Sequence, residues 1–195
     1  KAILVGHDWG APIVWNTAWA DTQRFTAVCG MSIPHMGHGS APMIDVARKM
    51  FTENGLFFYM VYFQDEGVAE AELEADVRDT IRRTYFAWSG DAPAGGWPVG
   101  KKHGEPFLQG MTDPGEFPAW LPKEEIDYLV KEFEGSGFRG PLNRYRNFHR
   151  DFASEAASGR LRPGTGRGLA AFSIDAVSTV LAAIPTACLA AFLES

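Results

Sequence analysis

The chain has 195 residues, of which 46% are hydrophobic and 22% are charged. This composition supports a folded domain with a sizeable core and excludes an intrinsically disordered chain. The formal net charge of −6 offers no basic surface, so binding to nucleic acid is not expected. Two cysteines are too few for a disulfide framework, which fits a protein of the reducing cytoplasm.

Residues 1–34 have the pattern of a partial parallel sheet. The apolar run of residues 2–5 predicts a strand, residues 11–21 follow a helical pattern, and residues 25–33 predict a second strand. Strand, helix and strand in this order form the repeating unit of α/β folds with parallel sheets. We therefore predict an α/β core with two parallel strands in this segment.

Residues 35–151 show no strand pattern and predict a helical lid. Apolar side chains recur at helical spacing in two stretches, which are Val77, Ile81, Thr84, Tyr85 and Trp88, and then Ile126, Leu129, Val130 and Phe133. Pro122 and Gly135 mark the predicted start and end of the second helix. The acidic residues between Glu66 and Asp79 predict a solvated helix face.

The remaining residues are rich in Ala, Ser, Gly and Arg and poor in aromatic residues. Residues 169–193 are long enough to suggest a membrane span, but they contain Asp175 and Pro185 and are only weakly apolar. We therefore predict no membrane span. The predicted organisation is a partial α/β core, a helical lid and a divergent C-terminal segment, formed by residues 1–34, 35–151 and 152–195.

A glycine-flanked aspartate follows the first predicted strand. Gly6, Asp8 and Gly10 have the spacing of a nucleophile elbow, in which side chains at either glycine would collide with neighbouring backbone. A carboxylate beside a helix N-terminus stays ionised and can attack a carbon atom to form an ester with the enzyme. The backbone N–H of Trp9 would stabilise the oxyanion when water hydrolyses that ester. The alternative is that Asp8 only caps the helix.

Two tyrosine-containing segments of the predicted lid accompany this elbow. Residues 59–64 read Tyr-Met-Val-Tyr-Phe-Gln and precede an acidic stretch, and residues 140–147 read Gly-Pro-Leu-Asn-Arg-Tyr-Arg-Asn. Together with Gly-His-Asp-Trp-Gly at residues 6–10, these motifs resemble, in the same order, those of soluble epoxide hydrolases. The resemblance implies an α/β-hydrolase core with a nucleophile elbow and a helical cap.

The resemblance also implies a reaction that needs side chains and water but no metal or organic cofactor. Asp8 would open a small or medium apolar epoxide to an alkyl-enzyme ester, Tyr59 and Tyr145 would act as acids on the ring oxygen, and water would release a vicinal diol. A phenol suits this role because its pKa of about 10 keeps it protonated at neutral pH. Each tyrosine has a structural alternative: Tyr59 as a core residue, with Tyr62 as the acid instead, and Tyr145 as a surface residue.

Two other functions are open from the residues. The related haloalkane dehalogenases share the elbow, and the indole N–H of Trp9 could bind a halide, although halide binding does not require two phenols. A non-catalytic module is the other alternative, because Phe57, Phe58, Met60 and Trp88 supply apolar surface for a ligand.

The sequence departs from the resemblance after the lid. The family implies an acid after a later strand and a histidine that activates water, but no histidine follows His149. Asp175 follows an apolar run without the family's turn pattern, so we predict no strand there and do not assign Asp175 as the acid. We expect a part of the family's fold that forms the ester but does not hydrolyse it. Without metal-ligand spacing, the histidines are expected to be structural or surface residues: His7, His35, His38, His103 and His149.

Overall fold

The computed structural model describes four stretches of the chain, residues 1–35, 39–93, 100–158 and 170–174. They divide into two units, which we call the sheet unit and the cap unit. The sheet unit comprises Lys1–Pro42 and Arg150–Ser195, and the cap unit comprises Met43–His149. The predicted boundaries at residues 34 and 151 stay a prediction.

Three parallel strands form the sheet in the order β1, β2, β3, with the bounds Ala2–His7, Phe25–Met31 and Ala170–Ile174. Parallel neighbours need a crossover connection, and the helix α1, Gly10–Ala20, provides it between β1 and β2. The two predicted strands are confirmed. The prediction that no strand precedes Asp175 is wrong, because pairing with β2, rather than a turn motif, defines β3. Asp175 itself lies outside the described residues.

The helix α1 packs on one face of the sheet. The Trp15 indole lies against the backbone of Gly30, where an added Cβ atom would be 2.4 Å from Trp15 Cζ2. The indole Nε1–H donates a hydrogen bond to the Ile33 carbonyl at 3.1 Å. Gly30 of β2 is also the register partner of Gly6 in β1. The buried cluster between helix and sheet consists of Ala11, Val14, Trp15, Ala18 and Val28.

The cap unit is helical, as predicted. Its helices are α2 Met43–Met50, α3 Tyr59–Tyr62, α4 Val68–Leu73, α5 Val77–Ala87, α6 Lys123–Ser136 and α7 Arg139–Tyr145, and α8 Phe148–Ser158 follows. The helix α6 does not end at Gly135 as predicted. Gly137, at a φ of 67°, ends it and donates its N–H to the Phe133 carbonyl at 2.8 Å. A glycine adopts a positive φ at little cost, which is why it ends the helix here.

Two apolar clusters stabilise the cap unit. One contains Phe63, Ala69, Leu73, Ala87, Phe107, Met111 and Leu142, and the other contains Val77, Ile81, Leu121, Ile126 and Val130. Tyr85 and Trp88 are 43% and 50% exposed, so the predicted apolar face of α5 is buried only in part. The α/β class with a partial sheet and a helical cap is confirmed.

The buried Lys101 anchors Phe107 and Gln109 in the segment between α5 and α6. Its Nζ donates hydrogen bonds to the carbonyls of Phe107 and Gln109, both at 2.8 Å, and lies 4.6 Å from the centre of the Phe57 ring. Burial lowers the pKa of Lys101 from its ordinary value. Phe107 and Gln109 are therefore fixed through their carbonyl groups, which accept the hydrogen bonds that the ammonium group would otherwise make with water.

Within the described residues, no helix has the length and apolar character that a membrane crossing requires. Most of the weakly apolar stretch at residues 169–193 lies outside them.

Substitution of Gly30 by alanine should destabilise the sheet unit, because the new methyl group would collide with the Trp15 ring. Overpacking of this kind costs about 1–3 kcal/mol of the free energy of unfolding. Urea unfolding measures the change. Gly135→Ala is the control, since a Cβ atom there would meet no described atom within 4 Å. Equal stability of Gly30→Ala and the unchanged chain would contradict the contact.

Candidate active site

Asp8 is the residue at which β1 turns into α1. The strand ends at His7 and the helix begins at Gly10, so two residues make the turn. Asp8 adopts a φ of 50°, in the left-handed region, and Trp9 is already helical, with φ −57° and ψ −23°. A left-handed conformation at a non-glycine residue costs free energy, and such residues concentrate at functional sites. The predicted sequence of strand, sharp turn and helix is therefore present.

The two glycines of the motif have different roles. A Cβ atom on Gly6 would lie 2.2 Å from the Gly10 carbonyl oxygen and 2.5 Å from the Gly10 carbonyl carbon. A Cβ atom on Gly10 would meet no described atom within 4 Å. The prediction that both positions exclude a side chain is thus correct for Gly6 and wrong for Gly10. The Cα atom of Gly6 lies close to the peptide of Gly10, so of these two glycines only Gly6 is excluded from carrying a side chain by atoms that the structure describes.

The Asp8 carboxylate is exposed and accepts a hydrogen bond from the next peptide. The Trp9 N–H donates to Asp8 Oδ2 at 2.7 Å, and the Asp8 N–H donates to the Met31 carbonyl at 3.2 Å. The N-cap residue of α1 is Trp9, and its side chain makes no capping bond. The Asp8 side chain therefore does not cap α1 in the usual way, which disfavours the capping alternative.

Tyr59 and Tyr145 come together in the cap unit. Tyr59 begins α3 and Tyr145 ends α7, yet their ring centroids are 5.8 Å apart at an interplanar angle of 80°. Both rings also contact Phe63, with centroid distances of 5.7 Å and 5.1 Å. The Trp88 ring lies edge-on to Tyr59 at 5.8 Å. The two tyrosines are half-buried, so the alternative of Tyr145 as a surface residue is not supported.

Tyr62 has a different environment from Tyr59. The Tyr62 hydroxyl donates a hydrogen bond to Glu72 Oε2 at 2.6 Å, and the same carboxylate accepts the N–H groups of Phe107 and Leu108, each at 2.8 Å. Burial, followed by the hydrogen bond and charge of Glu72, raises the pKa of the Tyr62 hydroxyl above its ordinary value. Tyr62 therefore connects α3 to a carboxylate and to the loop after α5.

The acidic run includes side chains that are not solvated. Glu70 Oε1 and Oε2 pair with Arg146 Nη1 and Nη2 at 2.6 Å and 2.9 Å. The hydrogen bonds from Arg146 lower the pKa of Glu70 to about 2. The prediction of a solvated face is wrong for Glu70 and Glu72, because each carboxylate binds donors from distant parts of the cap. The position of Glu70 three residues after Gly67, whose N–H it accepts at 2.8 Å, is a capping-box spacing that could have indicated one of these contacts.

The predicted site residues divide between the units. Asp8 and Trp9 belong to the sheet unit, and Tyr59 and Tyr145 belong to the cap unit. Among the described histidines, His35 stacks on Trp19, with ring centroids 5.5 Å apart. No three His, Cys, Asp or Glu side chains within the described stretches are arranged to bind a metal ion.

The chain is similar to epoxide hydrolases over most of its length, although no family model matches it. It is 38% identical over 160 residues to epoxide hydrolase A of Mycobacterium tuberculosis, covering 80% of this chain and 48% of the relative. It is 35% identical over 159 residues to bifunctional epoxide hydrolase 2 of Sus scrofa, covering 78% and 26%. The crystal structure of epoxide hydrolase A from Mycobacterium thermoresistibile matches at 30% identity and a TM-score of 0.71, covering 100% of this chain and 68% of that one.

The parallel strands, the turn at Asp8 and the helical cap define an α/β hydrolase. With these relatives, the chain belongs to the epoxide hydrolase family of that fold. The family resemblance found in the sequence is thus confirmed. The chain spans about half the length of the first of these relatives, and about a quarter of the second.

Gly6→Ala should destabilise the sheet unit by at least about 2 kcal/mol, because its methyl group would overlap the Gly10 carbonyl group. Gly10→Ala is the matched control and should stay within about 0.5 kcal/mol of the unchanged chain. Urea unfolding of both variants measures the difference. Equal losses of the free energy of unfolding in the two variants would contradict the finding that a Cβ atom is excluded at Gly6 but not at Gly10.

The contribution of Glu70 to stability should decrease in acid. Its pKa is lowered from 4.5 to about 2 in the folded chain, so the stabilisation is complete above pH 4.5 and is lost as the pH falls towards 2. Glu70→Gln should therefore be less stable than the unchanged chain near neutral pH, and the difference should shrink below pH 4.5. Urea unfolding at a series of pH values measures this. A difference that stays constant over the acid range would contradict the assignment.

Proposed function

We propose that the chain carries the nucleophile and the acids of an epoxide hydrolase. In this proposal Asp8 attacks an apolar epoxide, and Tyr59 and Tyr145 bind and protonate the ring oxygen. The observation that carries the proposal is the edge-to-face pairing of the two tyrosine rings at 5.8 Å, since they come from separate cap helices. Membership of the epoxide hydrolase family supports the substrate class.

The first step is a displacement at one carbon of the epoxide. Asp8 Oδ1 forms a bond to that carbon, the bond between the carbon and the ring oxygen breaks, and the electron pair moves to the ring oxygen. The hydrogen bond from Trp9 N–H to Oδ2 favours this division of roles, because an oxygen that accepts a hydrogen bond is the weaker nucleophile. Oδ2 then becomes the carbonyl oxygen of the ester.

The ring oxygen needs a proton as it leaves. Either phenol can donate one while the other donates a hydrogen bond, and a phenol stays protonated before the reaction at neutral pH. Tyr59 is preferred over Tyr62 because the Tyr62 hydroxyl already donates to Glu72 and its raised pKa makes it a weaker acid. The phenolate left after the first step regains its proton from water.

The second step hydrolyses the ester and regenerates the free Asp8 side chain. Water adds to the ester carbonyl carbon, negative charge collects on Oδ2, and the Trp9 N–H is the donor that stabilises it. Collapse of this intermediate breaks the bond between the carbonyl carbon and Oδ1. Oδ1 leaves as a hydroxyl of the vicinal diol after it takes the proton that water lost, and the oxygen of water becomes part of the Asp8 carboxylate. The step needs a base to take a proton from water, and no histidine follows His149 in the 195 residues. We therefore expect these residues to form the ester and to hydrolyse it poorly.

The remaining parts of the proposal follow from the same roles. Residues 1–34 supply the nucleophile and residues 35–151 supply the acids, so a small or medium apolar epoxide and water are the only reactants required. A cytoplasmic location, suggested by the low cysteine content, belongs to this proposal.

Incubation with styrene oxide should produce a covalent adduct. Intact-mass measurement should show one added epoxide per chain, and peptide mapping should place it on Asp8. Asp8→Ala should form no adduct at this position. Tyr59→Phe and Tyr145→Phe should each slow adduct formation by about 10²-fold, because each removes a proton donor. Tyr62→Phe should remain close to the unchanged chain.

Four outcomes would contradict the proposal as stated. Sustained diol production without an adduct would exclude the trapped ester. Release of chloride from a chloroalkane, with no reaction of the epoxide, would favour the dehalogenase alternative. Binding of styrene oxide without any covalent change would favour a non-catalytic module. A larger effect of Tyr62→Phe than of Tyr59→Phe would assign the role of acid to Tyr62 instead of Tyr59.

A further inference from the structure

Arg146 connects the backbone beside Tyr145 to the segment that follows Tyr59. Its Nε donates a hydrogen bond to the Phe63 carbonyl at 2.8 Å, and its Nη2 donates to the Asp65 carbonyl at 3.3 Å. The guanidinium group therefore reaches from the end of one tyrosine-bearing helix to the end of the other. Because the acceptors are carbonyl groups, the contacts fix backbone rather than rotatable side chains.

Glu70 fixes the guanidinium group of Arg146. The two form a bidentate pair, and the side chains of Arg146 and Glu70 are only 10% and 12% exposed. Bidentate pairing is directional, and removing one member of a buried pair leaves the other charge without compensation. Glu70 also accepts the N–H of Gly67 at 2.8 Å, so the carboxylate is tied to the start of α4.

Gln64 makes a second connection. Its Nε2 donates hydrogen bonds to the Met60 carbonyl at 2.7 Å and to the Tyr145 carbonyl at 2.9 Å. One side-chain amide thus joins the helix that begins at Tyr59 to the peptide of Tyr145 itself. Arg146 and Gln64 reach the same pair of segments independently.

We propose that Arg146, Glu70 and Gln64 are positioning residues that set the separation of the Tyr59 and Tyr145 hydroxyl groups. This inference rests on the proposed function of the two tyrosines as paired acids. The helices that carry the tyrosines have four and seven residues, too short to keep their geometry without tertiary contacts. Two donors that act on one oxygen must be placed accurately, since a shift of about 1 Å can cost about 10²-fold in rate.

The test uses the full chain and three variants. Arg146→Lys keeps the charge but removes the bidentate geometry, and Gln64→Met removes the amide group, and with it both Nε2 hydrogen bonds, without changing the charge. Arg139→Lys is the matched control, because Arg139 begins α7, the helix that Arg146 directly follows, and pairs with Glu66 at 2.9 Å with side chains 65% and 62% exposed. Far-UV circular dichroism establishes the temperature below which each variant is folded, and all measurements are made there.

The first readout does not depend on catalysis. Incorporation of 3-fluorotyrosine at the five tyrosines gives fluorine NMR signals that Tyr→Phe variants assign. The signals of Tyr59 and Tyr145 should shift or broaden in Arg146→Lys and Gln64→Met, whereas those of Tyr85 and Tyr128 should not. All signals in Arg139→Lys should match those of the unchanged chain.

The second readout is the rate of adduct formation as a function of styrene oxide concentration. The limiting rate constant should fall at least about tenfold in Arg146→Lys and Gln64→Met, with little change in the half-saturating concentration. A purely structural role would lower the melting temperature and leave the limiting rate constant unchanged. Unchanged fluorine signals and an unchanged limiting rate in both variants would overturn the inference.

Failure of the proposed function can be distinguished from failure of this inference. If the unchanged chain forms no adduct, the proposed function fails, and the fluorine signals alone decide whether these residues position the tyrosines. If Arg146→Lys does not fold, Gln64→Met decides, because it removes the two hydrogen bonds of one amide group and no charge.

Discussion

The geometry of the sheet unit depends on one van der Waals constraint, the contact between the backbones of Gly6 and Gly10. A helix can follow a strand after only two residues if its first peptide lies against the strand, and that requires a residue without a Cβ atom at Gly6. The same helix reaches β2 through Trp15, whose ring covers Gly30, the register partner of Gly6. Two glycines on neighbouring strands therefore determine how closely α1 approaches the sheet and where Asp8 is presented.

The cap unit depends on a different kind of interaction. Several of its helices are short, and isolated helices of four to seven residues are not stable in water. Glu70 and Glu72 compensate through hydrogen bonds to groups that lie 76 and 35 residues away in the sequence, and Lys101 does so through two nearby carbonyl groups. Buried charges are costly unless they are paired, and here each has partners. The pairing of the tyrosine rings thus relies on polar contacts as well as on the apolar clusters.

Much of the fold could be predicted from the sequence because its signals are local. The apolar run before Gly6, the helical pattern after Gly10 and the second apolar run predict the two strands and their crossover. The third strand could not be predicted, because a run of five residues becomes a strand only through its pairing with β2. The end of α6 at Gly137 rather than Gly135 reflects backbone conformation, which two glycines so close in sequence do not distinguish.

The residue types of the candidate site come from motif spacing and stay a prediction, whereas the hydrogen bonds that support them are seen only in the structure. Motif spacing indicated Asp8, Tyr59 and Tyr145, and the structure adds that the two tyrosine rings are neighbours. The roles of Glu70 and Glu72 were missed, because an acidic stretch on a helix is usually solvated and their more distant partners, Phe107, Leu108 and Arg146, lie 35 to 76 residues away in the sequence. Contacts over such separations leave no local pattern.

The anchoring of the loop after α5 has a consequence for how its sequence can vary. Glu72 accepts the N–H groups of Phe107 and Leu108, and Lys101 donates to the carbonyls of Phe107 and Gln109. Every residue type has a carbonyl group, and every type except proline has an N–H group. These anchors therefore place no demand on side-chain identity at the three positions, apart from excluding proline at the first two. Substitutions at these three positions, within the limits of core packing, should therefore leave the backbone path of residues 107–109 unchanged.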